Sequence, residues 1–147
     1  MAKEIERKFL VTDQSYREAA TTVHHITQGY ISRRKEGTVR VRVTDGHGFL
    51  TVKGKTEGIS RDEWEYEIPL EDALGMLRGV CEGNIVEKER YKVPYGGLIW
   101  EVDRFIRPND GLVVAEVELP SASTPLTLPP FVGKEVSGDP AYYNSNL

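Results

Sequence analysis

Residues 4–8 read Glu-Ile-Glu-Arg-Lys, immediately before Phe9-Leu10-Val11. In an extended strand alternate side chains share a face. Glu4, Glu6 and Lys8 therefore line one side, and Ile5, Arg7 and Phe9 the other. Two carboxylates a pleat apart suit a hard divalent cation such as Mg²⁺. A lysine beside them suits a phosphate oxygen.

The alternation recurs along the chain. Arg40 and Arg42 interleave with Val39, Val41 and Val43, and Lys53 and Lys55 with Val52 and Gly54. Glu63, Glu65 and Glu67 interleave with Trp64, Tyr66 and Ile68. Lys88, Arg90 and Lys92 interleave with Glu89, Tyr91 and Val93. Glu101 and Asp103 flank Val102, and Glu116 and Glu118 flank Val117. A solvated sheet face usually mixes in Thr and other neutral residues. Here each charged face carries essentially one sign, and like charges on neighbouring strands destabilise a sheet unless the opposite sign or a ligand faces them. A barrel that turns these faces inward sets both signs across one lumen. The apolar faces then point outward, to be covered by the helix around Leu74–Val80 and by the C-terminal tail. Such a lumen suits a polyphosphate: Arg and Lys bind its oxygens, and carboxylates reach it through Mg²⁺ or Mn²⁺.

The elements follow from turn chemistry and periodicity. Strands are predicted at about Lys3–Val11, His25–Arg34, Thr38–Thr44, Phe49–Lys55, Arg61–Leu70, Asn84–Val93, Leu98–Ile106 and Leu112–Pro120. Asp45-Gly46 is a hairpin signal, and Pro94-Tyr95-Gly96-Gly97 and Asn109-Asp110-Gly111 mark further turns. Asp13 is placed as the N-cap of a short helix over Tyr16–Ala20. Glu71–Val80 is a second helix, with Ala73, Leu74 and Leu77 on one face. From Ser121 the tail is expected to be irregular until a helical turn near Pro140–Asn146. The fold class is mainly β (α+β): a closed or nearly closed eight-stranded antiparallel barrel with a few flanking helices, in a single domain over 1–147.

Composition narrows the function. Nineteen Lys and Arg against 23 Asp and Glu give a net charge of −4, which argues against nucleic acid as a partner. Cys81 is the only cysteine, so no internal disulfide or Cys-cluster metal site forms. His24, His25 and His47 have no zinc-type spacing, so a metal here is held by oxygen. No apolar run approaches the roughly 20 residues of a membrane span. Charged Lys3, Glu4 and Glu6 argue against a signal peptide, which makes the cytoplasm the expected location.

With these residues in place, the chain resembles the CYTH, or triphosphate tunnel metalloenzyme, family over nearly its whole length. The anchor is Glu4-x-Glu6-x-Lys8, similar to the family's ExExK strand. There follow in order Gln28-Gly29-Tyr30, Val39–Arg42, Thr51–Lys55, Glu63–Ile68, Glu87–Tyr91, Trp100–Asp103, Ala115–Leu119 and Gly133–Asp139. The resemblance implies a tunnel that binds triphosphate compounds with Mg²⁺ or Mn²⁺, and similar short bacterial members are usually tripolyphosphatases. It implies Glu4, Glu6 and Glu118 as metal ligands with Glu116 close by, and Glu4, Glu6, Lys8 and Glu118 as the catalytic set. Lys8, Arg40, Arg42, Lys53, Lys55, Lys88 and Arg90 would hold phosphates, and Glu63, Glu65, Glu101 and Asp103 would complete an acidic wall. The alternatives are a class IV adenylyl cyclase, an organic triphosphatase and a non-catalytic polyphosphate-binding module.

Where the family commonly has Thr between Lys and Arg this chain has Glu89, expected to point outward. Ser121–Pro130 replaces a short acidic helix, and little helix follows Tyr142-Tyr143-Asn144 to plug the barrel. Trp64, Tyr66 and Trp100 are read as outward packing residues, and His24-His25 as a surface turn. Lys3 and Arg7 are read as surface charges. Arg33-Arg34-Lys35 is read as a solvated hairpin tip or a basic collar at a tunnel mouth. No polar-aromatic cluster that could read a base or a thiazole is found on the charged face.

Overall fold

The computed structural model describes residues 2–147. The strands are β1 (Ala2–Val11), β2 (Thr22–Arg34), β3 (Gly37–Thr44), β4 (His47–Lys53), β5 (Ser60–Ile68), β6 (Glu82–Tyr95), β7 (Leu98–Arg107), β8 (Val113–Glu118) and β9 (Val132–Glu135). Helix α1 (Tyr16–Ala19) follows β1, and α2 (Leu70–Gly79) joins β5 to β6. Two short 3₁₀ turns, Pro140–Tyr142 and Asn144–Asn146, end the chain. All strands lie in one antiparallel sheet of order β5-β4-β3-β2-β6-β7-β8-β1-β9, and β5 also pairs with β1. Strands β1 to β8 therefore close on themselves, and closure removes the sheet edges.

The seam is β1. Its residues Ala2–Ile5 pair with β5 and Glu6–Leu10 with β8. Beyond the end of β5, Phe9 and Val11 pair with β9. The sequence reading left β9 inside an irregular tail, because four residues containing Gly133 and Lys134 carry no alternation. Backbone pairing makes the strand: the Val136 N–H donates to the Lys8 carbonyl at 2.8 Å, and Arg7 holds Glu135 through a two-point ion pair at 2.6 and 2.9 Å.

The outward faces are apolar and covered in part; Tyr66, read as a packing residue, stays 63% exposed. Phe9, Tyr16, Val93, Trp100, Val102, Ala115, Val117, Leu119 and Phe131 form the main buried cluster. Trp100 is thus the outward packing residue it was read to be. Part of the cover comes from α1, through Tyr16 standing edge-on to Tyr91 and Phe131. On the opposite wall α2 sets Ala73 over Gly48, leaving Leu74 38% exposed. The N-cap of α1 is Ser15; Asp13 instead accepts from the Ser15 N–H and hydroxyl, a turn just upstream. Glu89 points outward and accepts two bonds from Arg104. Arg33 is tied into the sheet, donating to the carbonyls of Glu82 and Asn84 and lying over the Tyr30 ring.

Candidate active site

Strand alternation carries the charged faces into the lumen. A cavity of about 380 Å³ lies there. Of the candidate residues, Glu4, Glu6, Lys8, Arg40, Arg42, Lys53, Glu63, Glu65, Arg90, Glu101, Glu116 and Glu118 line it. Three do not. Lys55 lies past the end of β4 and is exposed. Lys88 and Asp103 are almost wholly buried in the barrel interior beside the cavity, bonded to one another at 2.7 Å.

The side chains of opposite sign interlock. Lys53 Nζ lies 3.1 Å from Glu4 and 3.3 Å from Glu63, and Arg61 reaches Glu4 at 3.5 Å. Lys8 lies 3.6 Å from Glu116 and Arg40 3.4 Å from Glu65. Arg90 grips both oxygens of Asp103 at 2.8 and 2.9 Å and reaches Glu101 at 3.3 Å. Burial opposes the charge on Asp103, but Arg90 and Lys88 overcome it and hold the carboxyl at about 2. Burial lowers Lys88 to about 7 against the pull of Asp103.

Arg42 is different. Its guanidinium donates twice to the neutral Gln28 Oε1, at 2.9 and 2.7 Å, and among the described residues no carboxylate forms an ion pair with it. Burial first, then the charges of Arg40 and Arg90, bring it down to about 9. It therefore stays charged at neutral pH while standing among like charges. The buried Nε of Arg40 and Nε2 of Gln28 also lack hydrogen-bond partners. Buried donors without acceptors are costly, and an anion with several oxygens would satisfy them.

The carboxylate side shows the complementary pattern. Glu6 is raised well above the usual range by burial and by the nearby charges of Glu116 and Glu4. Glu63 is pushed up to about 7 by burial, by a hydrogen bond with Glu4 and by the Glu4 charge. Burial also opposes ionisation of Glu4 and Glu116. Lys53 brings Glu4 to about 2, and Lys8, Arg90 and Lys88 hold Glu116 well below the carboxylate range. Glu6 with Glu116, and Glu4 with Glu63, are thus pairs that share a proton. As they stand, several of these groups are turned to cations, and no three His, Cys, Asp or Glu side chains among the described residues are gathered for an ion. The donor chemistry nevertheless fits a hard divalent cation. All donors are oxygen, and a cation would take the place of the shared protons.

Some lining residues were missed in the sequence. Arg61 stands two residues before Glu63 on the same face, so alternation alone would have found it. Phe49 shares its face with Thr51 and Lys53, and with Tyr30, His24 and Tyr143 it lines the cavity. Aromatic side chains therefore do line the cavity, where the sequence showed no polar-aromatic cluster. His24 and His25 lie within β2, not in a turn, and His24 is bonded to Asp45. Tyr143 and Asn144 come from a segment with no periodicity to read.

Comparison with known proteins fits this architecture. The family model described as the CYTH domain matches residues 2–143. The chain is 50% identical over 147 residues to a protein named inorganic triphosphatase from Acetivibrio thermocellus, covering all of this chain and 94% of the other. It is 36% identical over 149 residues to one of the same name from Nitrosomonas europaea, covering 98% and 95%. A crystal structure of an inorganic triphosphatase superposes with a TM-score of 0.70 at 30% identity, covering 97% of this chain and 95% of that one.

Proposed function

The chain belongs to the CYTH domain family, and on that footing we propose that it hydrolyses inorganic triphosphate to pyrophosphate and phosphate inside the barrel, with a divalent cation. The observation that carries this reading is the group Arg40, Arg42 and Arg90. Arg40 has a buried Nε without an acceptor, Arg42 rests on a neutral amide rather than a carboxylate, and the group faces a wall of carboxylates. Arg40, Arg42 and Arg90 grip the phosphate oxygens, with Lys8 and Lys53 at the boundary with the acidic side. Glu4, Glu6, Glu116 and Glu118 are the residues that would hold Mg²⁺ or Mn²⁺. When bound, such an ion neutralises phosphate oxygens and polarises phosphorus. Glu63, Glu65 and Glu101 offer carboxylates to orient an attacking water and accept its proton. Asp103 holds Arg90 and Lys88 braces Asp103, so their part is positioning. Among the described residues no helix is long and apolar enough to cross a membrane.

The test is a panel of tripolyphosphate, ATP, thiamine triphosphate and pyrophosphate, each with Mg²⁺, Mn²⁺ or EDTA, scored for phosphate and cyclic AMP. Tripolyphosphate should be the best substrate, and EDTA should abolish turnover. Cyclic AMP as the main product from ATP would replace the hydrolase by a lyase. A second reading, slower hydrolysis of organic triphosphates, is favoured by Phe49 and His24 on the cavity wall, where a ring attached to the phosphate chain would meet them.

A further inference from the structure

The C-terminal turn over 140–147 reaches the lumen through Tyr143 and Asn144. Tyr142 and Leu147 pack on a buried layer that includes Leu10, Val86, Phe105 and Val114. Each of those four stands two residues from a site charge on its own strand: Lys8, Lys88, Asp103 and Glu116 respectively. The layer therefore lies next to the ionic site, on the same faces. The turn is braced internally as well: Asp139 Oδ1 accepts from the Ala141 N–H at 3.0 Å, and Asn146 Nδ2 donates to the Pro140 carbonyl at 2.7 Å.

Anchored in this way, the turn meets both walls of the site. Lys8 Nζ donates to the Tyr142 carbonyl at 2.9 Å. Lys88 Nζ donates to Asn144 Oδ1, and Asn144 Nδ2 donates to Glu116 Oε1, both at 3.4 Å. Asn144 lines the cavity, whereas Lys88 does not. An amide suits this position, because it presents an acceptor to the cation and a donor to the carboxylate. A charged or purely apolar side chain satisfies at most one of the two.

We propose that Asn144, presented by the C-terminal turn, is a positioning residue for the reaction: its amide ties Glu116 to Lys88 and fixes the orientation of that carboxylate toward the lumen. This rests on the triphosphatase reading, in which Glu116 belongs to the metal-holding set. A turn whose Tyr142 and Leu147 are packed into the apolar layer is a resident part of the site rather than a plug that substrate displaces.

The experiment measures Mn²⁺ binding to the full chain without substrate, from the spin-resonance signal of free Mn²⁺, beside tripolyphosphate turnover. Asn144→Ala should weaken Mn²⁺ binding about 10-fold, the lower end of the effect of losing a group that orients a metal ligand, and kcat should fall with it. In a Glu116→Gln background the same substitution should change Mn²⁺ binding by less than about twofold, since coupled groups are non-additive. Unchanged binding in Asn144→Ala, full additivity with Glu116→Gln, or a rise in turnover overturns the inference. A wild-type protein that binds Mn²⁺ but leaves tripolyphosphate intact overturns the triphosphatase reading instead.

Discussion

At the scale of single residues, position relative to the lumen separates cations that look alike in the sequence. Arg42 rests half-buried on a neutral amide and lines the cavity, whereas Lys55 is exposed beyond the end of its strand. Arg42→Ala should therefore lower kcat/KM for tripolyphosphate at least about 10-fold, the effect of losing one charge-assisted hydrogen bond of about 1.5–3 kcal/mol. Lys55→Ala should leave it within about twofold, as expected of an exposed charge away from the site. Comparable losses in steady-state kinetics of the two variants would sink the facing assignment. Glu63 yields a signed prediction on stability. Its folded pKa of about 7 lies above the ordinary value of about 4.3, so the folded state binds the extra proton between these limits. Stability from this group is fully present below about 4.3 and is lost as pH rises through about 7. Glu63→Gln keeps the uncharged form at every pH. It should raise the melting temperature relative to wild type at pH 8 and change it little at pH 4. The reverse order in thermal scans would refute the shared proton.

At the scale of elements, the alternation of charge and aliphatic residues was enough to place β3, β5, β6, β7 and β8 in the sequence, with the correct face inward. It failed where side chains do not decide the conformation. β9 is made by backbone pairing to β1, and the Asp13 turn and the Ser15 cap differ by two residues that are both good caps. That a helix here covers the barrel was legible, but not that Ala73 rests over Gly48, a residue with no side chain to read. A Cβ on Gly48 would meet the Ala73 Cβ at 2.7 Å and the Ile68 carbonyl at 3.1 Å. Gly48→Val should therefore push α2 off the β3–β4 wall and destabilise the fold by about 1–3 kcal/mol, as overpacking does. Denaturant unfolding measures this; a midpoint equal to wild type would mean that α2 gives way without loss.

At the scale of the whole molecule, the charge pattern read from the sequence implied a closed barrel with both signs inside, and β1 closes it by pairing with β5 and β8 along its two halves. What the pattern could not give is the state of each charge. Glu4 and Glu6 are chemically identical and two residues apart, yet burial and neighbours send them in opposite directions. Nor could it reveal that Lys88 and Asp103 are wholly buried as an ion pair bracing Arg90 from within the barrel. The closed barrel has a consequence for its own stability. Closure brings Arg40, Arg42 and Arg90 together with Arg42 under-compensated, so the fold bears a repulsion that a polyanion would relieve. A ligand that binds only the folded state stabilises it by RT ln(1 + [L]/Kd), about 2.7 kcal/mol at 100 times Kd. With EDTA present to prevent turnover, tripolyphosphate should raise the melting temperature more than pyrophosphate, and pyrophosphate more than phosphate, because a longer chain satisfies more donors at once. The shift should shrink as NaCl is raised and should largely disappear in Arg42→Ala. Equal shifts for the three anions, or a full shift retained in Arg42→Ala, would place the anion somewhere other than this lumen.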